Sequence, residues 1–171
     1  GRELATLLML LAVGFIAAKS NIQRFAYFLL CFAVWDIFYY VFLRLLIGWP
    51  ESLITQDVLF LVPTTWVGPV IAPVITSLTM ISLALLIIIN EGRGRKIKLS
   101  LLVWILLIIG SLDLILAFIW DYSAYILQYH SFTELFGFRS SGIIETATNY
   151  VPRSFNWFLF LLGEAIIIAG I

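Results

Sequence analysis

Residues 25–47 read FAYFLLCFAVWDIFYYVFLRLLI, and only Asp36 and Arg44 carry charge in that run. As a helix rising 1.5 Å per residue it would extend about 34 Å, enough for the ~30 Å apolar core of a bilayer. Gly48-Trp49-Pro50-Glu51 then ends it, because proline disfavours helix in the residue before it and brings no backbone donor. A carboxylate at the centre of such a span costs at least about 2.5 kcal/mol on the mildest insertion scale, so Asp36 demands a partner, a proton or water.

The rest of the chain repeats the pattern. A shorter apolar stretch, 4–18, precedes Lys19, Ser20, Asn21 and Gln23, and further spans are expected at about 99–119 and 155–171. Between them lies a less regular region. A short apolar run, 58–62, is broken by Pro63, and Trp66-Val67-Gly68-Pro69 with Pro73 leads into a clean apolar helix to about Ile89. With 63% apolar and 12% charged residues among 171, the composition is that of an integral membrane protein. Ten basic residues balance ten acidic ones, so no overall field points to nucleic acid. The expected fold is all-α: a polytopic membrane bundle of about five transmembrane helices, with outer interfacial or re-entrant short helices. Residues 1–171 are expected to form a single transmembrane domain, a fragment of a longer chain, since the sequence opens at Gly1 and stops inside an apolar run.

Basic residues set the orientation. The loop 91–98 holds Arg93, Arg95, Lys96 and Lys98, and 19–24 holds Lys19 and Arg24. Both are expected on the cytoplasmic side, with outer segments 49–65 and 120–153 extracytoplasmic, in a bacterial-type plasma membrane. Trp49, Trp66, Trp120 and Trp157 fall near the outer boundary as an aromatic belt would. The segment 57–73 is too apolar for a solvated loop and too rich in proline for a continuous helix. It is expected either to re-enter the membrane or to lie on it as an interfacial half-helix. Residues 122–138, rich in tyrosine and phenylalanine, are expected to form an outer amphipathic helix.

Helical spacing groups the polar residues. Asp36, Tyr40 and Arg44 recur every four positions along one face of the second span, with Tyr39 beside it. Asp113, Ala117, Asp121 and Tyr125 do the same on the fourth span and make Asp121 and Tyr125 an outer polar stripe if the helix passes Trp120. Glu164 lies inside the last span, at a depth close to that of Asp36. Asp36, Tyr40, Arg44, Asp113 and Glu164 are therefore the candidate intramembrane polar site. If its three acids met, they could not all stay ionised in a dry interior, and a shared proton or bound cation would follow, with Arg44 as counter-charge.

Other chemistry finds little support. His130 is the only histidine, so haem held by two histidines of this chain is excluded, and no cofactor or metal is expected. Cys31 lies alone in an apolar helix and reads as a small core residue. Hydrolase elbows, phosphate loops and zincin motifs are absent from the sequence, and no catalytic residue is assigned. Two functions fit. The first is a non-catalytic accessory or structural subunit of a membrane complex, whose partners are the lipid bilayer and neighbouring protein subunits. The alternative is a small proton- or cation-coupled transporter built on the intramembrane carboxylates.

Overall fold

A computed structural model of the protein describes residues 2–61, 64–131 and 149–171. These form five helices and one small ribbon: α1 (Arg2–Ala17), α2 (Asn21–Ile47), β1 (Gln56–Val58), β2 (Val67–Pro69), α3 (Ile71–Gly92), α4 (Leu101–Ile126) and α5 (Trp157–Gly170). Three of the helices, α2, α3 and α4, are long and apolar enough to cross a membrane, while α1 and α5 are apolar but shorter. The fold is thus predominantly helical, with three helices whose length and composition suit a membrane span.

Side-chain caps fix where the helices begin. Ser20 accepts the backbone N–H of Gln23 at the start of α2, Ser100 that of Val103 at the start of α4, and Asn156 that of Leu159 at the start of α5. Gly48 closes α2 in the left-handed region at φ 74°, and its N–H returns to the carbonyl of Arg44. That conformation suits glycine because a Cβ there would crowd the following carbonyl.

Helix α2 packs on both α1 and α3, α4 packs on α5, and α3 meets α5. Small residues allow the closest approaches. A Cβ added to Gly110 on α4 would lie 2.7 Å from the carbonyl oxygen of Gly163 on α5, and one added to Gly163 would lie 2.8 Å from that of Gly110. The two backbones therefore touch where neither has a side chain, the device that membrane helices use to gain packing contacts where lipid supplies no hydrophobic drive. Ala72, Leu83, Ala84 and Ile87 of α3, Leu107, Leu114, Ala117 and Phe118 of α4, and Phe160 and Ile167 of α5 form the core with Ala26 of α2.

The bundle has two distinct ends. At one, Ser20 Oγ donates to Glu91 Oε2 at 3.4 Å and the Ile97 amide donates to Glu91 Oε1 at 2.7 Å, so one carboxylate ties both short turns together. At the other end sits the ribbon, antiparallel, pairing Gln56 with Pro69 and Val58 with Val67. This corrects the expected half-helix. Asp57 accepts its neighbour's N–H and Tyr40 from α2, while Gly68 and Pro69 remove helix propensity on the return strand, leaving an extended hairpin as the local solution. The ribbon folds back along α2, since Tyr40 lies eight residues, about 12 Å, before Gly48.

An aromatic chain ties the ribbon to the helices. Phe32 stacks on Phe60, Phe60 meets Trp66 edge-on, Trp66 stacks on Phe118, and Phe118 touches Phe155 and Phe160. Gly68 lies under two of these rings, because a Cβ there would stand 2.9 Å from both Phe118 and Phe155. Helix α4 runs past Trp120 to Ile126, beyond the expected end at 119. Of the amphipathic helix expected over 122–138, the first turns belong to α4; 132–138, with Glu134, lies outside the described residues, as do Arg139 and Glu145.

Candidate functional site

Asp36 and Glu164 are both buried, at 7% and 4% exposure, and both are hydrogen-bonded to α3. Ser77 Oγ donates to Asp36 Oδ2 at 2.9 Å. Thr76 Oγ1 and Thr79 Oγ1 donate to the two oxygens of Glu164, each at 2.7 Å. The hydroxyls sit within one turn of α3, so the two acids lie at neighbouring levels. Thr76 and Ser77 are consecutive and point about 100° apart around the helix axis, which places Asp36 in the α2–α3 interface and Glu164 in the α3–α5 interface. Helix α3 stands between the two carboxylates.

Asp113 belongs to neither contact. It is half-buried on α4, its Cβ packs where Gly163 leaves room, and it makes no hydrogen bond among the described residues. Arg44 also departs from the expected arrangement. Its Nη1 donates to the carbonyls of Gly48 at 2.6 Å and Pro50 at 2.8 Å, and no ion pair joins it to Asp36, Asp113 or Glu164. A long basic side chain in the last helical turn reaches the terminal carbonyls more readily than a carboxylate two turns back. Arg44 therefore pins the turn that follows α2.

Tyr40 leaves the helix face toward the ribbon, where its hydroxyl donates to Asp57 Oδ2 at 2.9 Å. Here the structure opens a cavity of about 240 Å³, walled by Asp36, Trp35, Tyr39 and Tyr40 of α2, Asp57 and Phe60 of the ribbon region, and Glu3 and Thr6 of α1. Glu3 closes one side by accepting the Leu61 amide at 3.2 Å. Of the three acids in the apolar helices, Asp36 lines this cavity, whereas Glu164 is closed over by its two threonines. Among the described residues no three histidine, cysteine, aspartate or glutamate side chains come together as a metal-holding set.

Asp121 and Tyr125 form a separate anchor at the ribbon end. Asp121 accepts Tyr150 Oη at 2.8 Å, the Arg153 amide at 3.0 Å and Ser154 Oγ at 3.2 Å, while the Arg153 guanidinium lies over the Tyr125 ring at 6.0 Å. Burial, then the hydrogen bond to the Asp121 carboxylate, holds the Tyr150 phenol well above its ordinary value of 10.0. A phenol whose folded pKa is raised contributes stability that is complete below the unfolded value and is lost as pH climbs through the folded one. The anchor is therefore intact through neutral pH and weakens only in alkali above about 10. Asp121→Ala is expected to speed amide exchange at Arg153 by about tenfold, as the loss of charged hydrogen bonds on one acceptor implies. Unchanged exchange there would remove the anchor.

Several of these residues escaped sequence reasoning. Thr76, Ser77 and Thr79 look like ordinary helix residues, and their signal is three hydroxyls in four positions of an otherwise apolar span. Glu3 and Asp57 carry no pattern of their own, because the ribbon and the start of α1 reach them only in three dimensions. The chain matches no family model, no curated protein and no solved structure.

Proposed function

We propose that this protein is a multi-pass membrane protein acting as a non-catalytic accessory or structural subunit. The single observation that supports this reading is the commitment of Asp36 and Glu164 to serine and threonine donors on α3. Polar groups used in this way join helices, and interhelical hydrogen bonds of this kind are a normal packing device in membranes. The turn carrying Arg93, Arg95, Lys96 and Lys98 faces the cytoplasm, and the ribbon end with the Asp121 anchor faces outward, as the distribution of basic residues favours. The aromatic faces available to partner chains are those of α2, where Phe38 and Phe42 are 49% and 55% exposed, and of α5, where Phe158 is 75% exposed.

The test is native mass spectrometry of the protein released from its own membranes in a mild detergent. A photo-crosslinking residue replaces Phe42 in one sample and Phe158 in another. The expected result is a protein partner at fixed stoichiometry, joined through at least one of the two positions. A monomer whose crosslinks reach lipid alone would end the proposal.

A further inference from the structure

The two short turns at the end opposite the ribbon gather charge that the subunit role does not use. Residues 18–24 and 91–98 hold six basic side chains, Lys19, Arg24, Arg93, Arg95, Lys96 and Lys98, against one carboxylate, Glu91. That carboxylate is already taken by Ser20 Oγ and the Ile97 amide, and among the described residues none of the six cations has an ion-pair partner. The Ser20–Glu91 bond draws the turns together, and Phe25 meets Trp104, in the first turn of α4, at 5.2 Å between ring centroids. Beside this charge, α1 and α2 wall an open groove of about 470 Å³, lined by Leu11, Phe15, Asn21, Arg24, Phe25 and Phe28. No carboxylate is among these six. The two walls touch at Gly14, where a Cβ would stand 2.9 Å from the Arg24 carbonyl oxygen.

Arg24 is held in a fixed pose at the turn end of the groove. Its Nε donates to the Ala18 carbonyl at 3.2 Å, its Nη1 donates to Asn21 Oδ1 at 3.3 Å, and its guanidinium carbon lies 4.9 Å from the centre of the Phe15 ring. Nη2 has no partner among the described residues and keeps two N–H groups to offer. We infer that the groove binds an anionic phospholipid, with an acyl chain along Leu11, Phe15, Phe25 and Phe28 and the phosphate on Arg24 beside the basic turns. The order of the lining matches the order of such a ligand. Asn21 and Arg24 stand at the turn, and Phe28 lies seven residues, about 10 Å, deeper along α2. Basic turns alone would draw any negative surface, and an apolar groove alone would take any chain; together they select a lipid with net negative charge. A guanidinium already set by two acceptors also loses little freedom on meeting a phosphate. The inference rests on the chain's lying in a membrane and not on its having a protein partner.

The experiment inserts the whole chain into phosphatidylcholine nanodiscs, then titrates it in mild detergent with phosphatidylglycerol or phosphatidylcholine of the same chains and reads bound lipid by native mass spectrometry. Phosphatidylglycerol is expected to bind at least about tenfold more tightly. Arg24→Gln should weaken it about fivefold while leaving phosphatidylcholine little changed, and Lys96→Gln with Lys98→Gln should weaken it by about fivefold or more. Leu11→Trp fills the groove, leaves every charge in place and should weaken both lipids. Helicity and melting of the variants without added lipid show whether the fold is kept; if Leu11→Trp does not fold, Arg24→Gln decides alone. Equal affinity for the two lipids would overturn the inference, as would undiminished phosphatidylglycerol binding by the folded Arg24→Gln and Leu11→Trp variants. Displacement of the lipid by its deacylated headgroup, glycerophosphoglycerol, at equal concentration would overturn it too, by revealing a site for a soluble anion. A chain that does not enter nanodiscs removes the membrane reading and this inference with it, whereas an inserted chain without lipid preference removes the inference alone.

Discussion

Gly163→Ala is expected to destabilise the protein by about 2 kcal/mol or more, and Gly163→Leu to prevent α4 and α5 from packing at all. The obstruction is backbone. The new Cβ would lie 2.8 Å from the carbonyl oxygen of Gly110, with the Asp113 Cβ and a Leu114 methyl at 3.1 Å, and a carbonyl held in its own helix cannot swing aside as a side-chain tip can. The helices must separate, and every contact along that seam, from Leu107 to Phe118 on α4 and from Phe160 to Ile167 on α5, loosens with them. Gly92 provides the control, because a Cβ there meets nothing within 4 Å, so Gly92→Ala should leave stability within about 0.5 kcal/mol. For a chain of this size 2 kcal/mol corresponds to a melting shift of roughly 4–8 °C. If the two alanine variants melted at the same temperature, the close crossing would not exist.

Glu164→Ala should be nearly as costly, by about 2–4 kcal/mol, since it removes the acceptor of two hydroxyl groups and leaves a void between α3 and α5. Glu164→Gln should cost less than about 1 kcal/mol, because the amide retains the volume and hydrogen-bonds both Thr76 and Thr79, one as acceptor and one as donor. The two substitutions together distinguish a structural clasp from a group that must carry charge. A double-mutant cycle with Thr76→Val and Thr79→Val, measured by reversible unfolding in bicelles, gives the coupling directly, and a value of about 0.6–1.7 kcal/mol per bond is expected for hydrogen bonds inside a membrane. Zero coupling, or equal losses for the alanine and glutamine variants, would show that these hydroxyls do not hold Glu164.

The helices were largely legible in the sequence because their signals are local. The apolar run before Gly48-Trp49-Pro50 marks the end of α2, whereas its start at Asn21, capped by Ser20, lies four residues before the expected 25 because the cap draws the polar turn into the helix. The ribbon was not legible. Its strands are three residues long, too short for alternation to register, and its prolines signal only that a helix cannot continue. The site was visible by half. A carboxylate in an apolar span announces itself through its cost, so Asp36 and Glu164 stand out, but the neutral hydroxyls that meet them cost little and attract no notice. Arg44 illustrates the opposite error: helical spacing aligned it with Asp36, and the carbonyls of Gly48 and Pro50 in the turn after its own helix proved the nearer partners.

The division of labour across α3, with acids on its two neighbours and hydroxyls on α3 itself, also orders the events of synthesis. A chain made from its amino end delivers Asp36 forty-one residues ahead of Ser77. At 5–20 residues per second that is an interval of roughly 2–8 s in which the carboxylate has no Ser77 to receive it. Glu164 arrives eighty-eight residues after Thr76 and finds both of its donors already in place. The earlier acid must therefore wait with α2 in a sheltered or hydrated setting until α3 emerges, whereas the later one meets donors that are already in position.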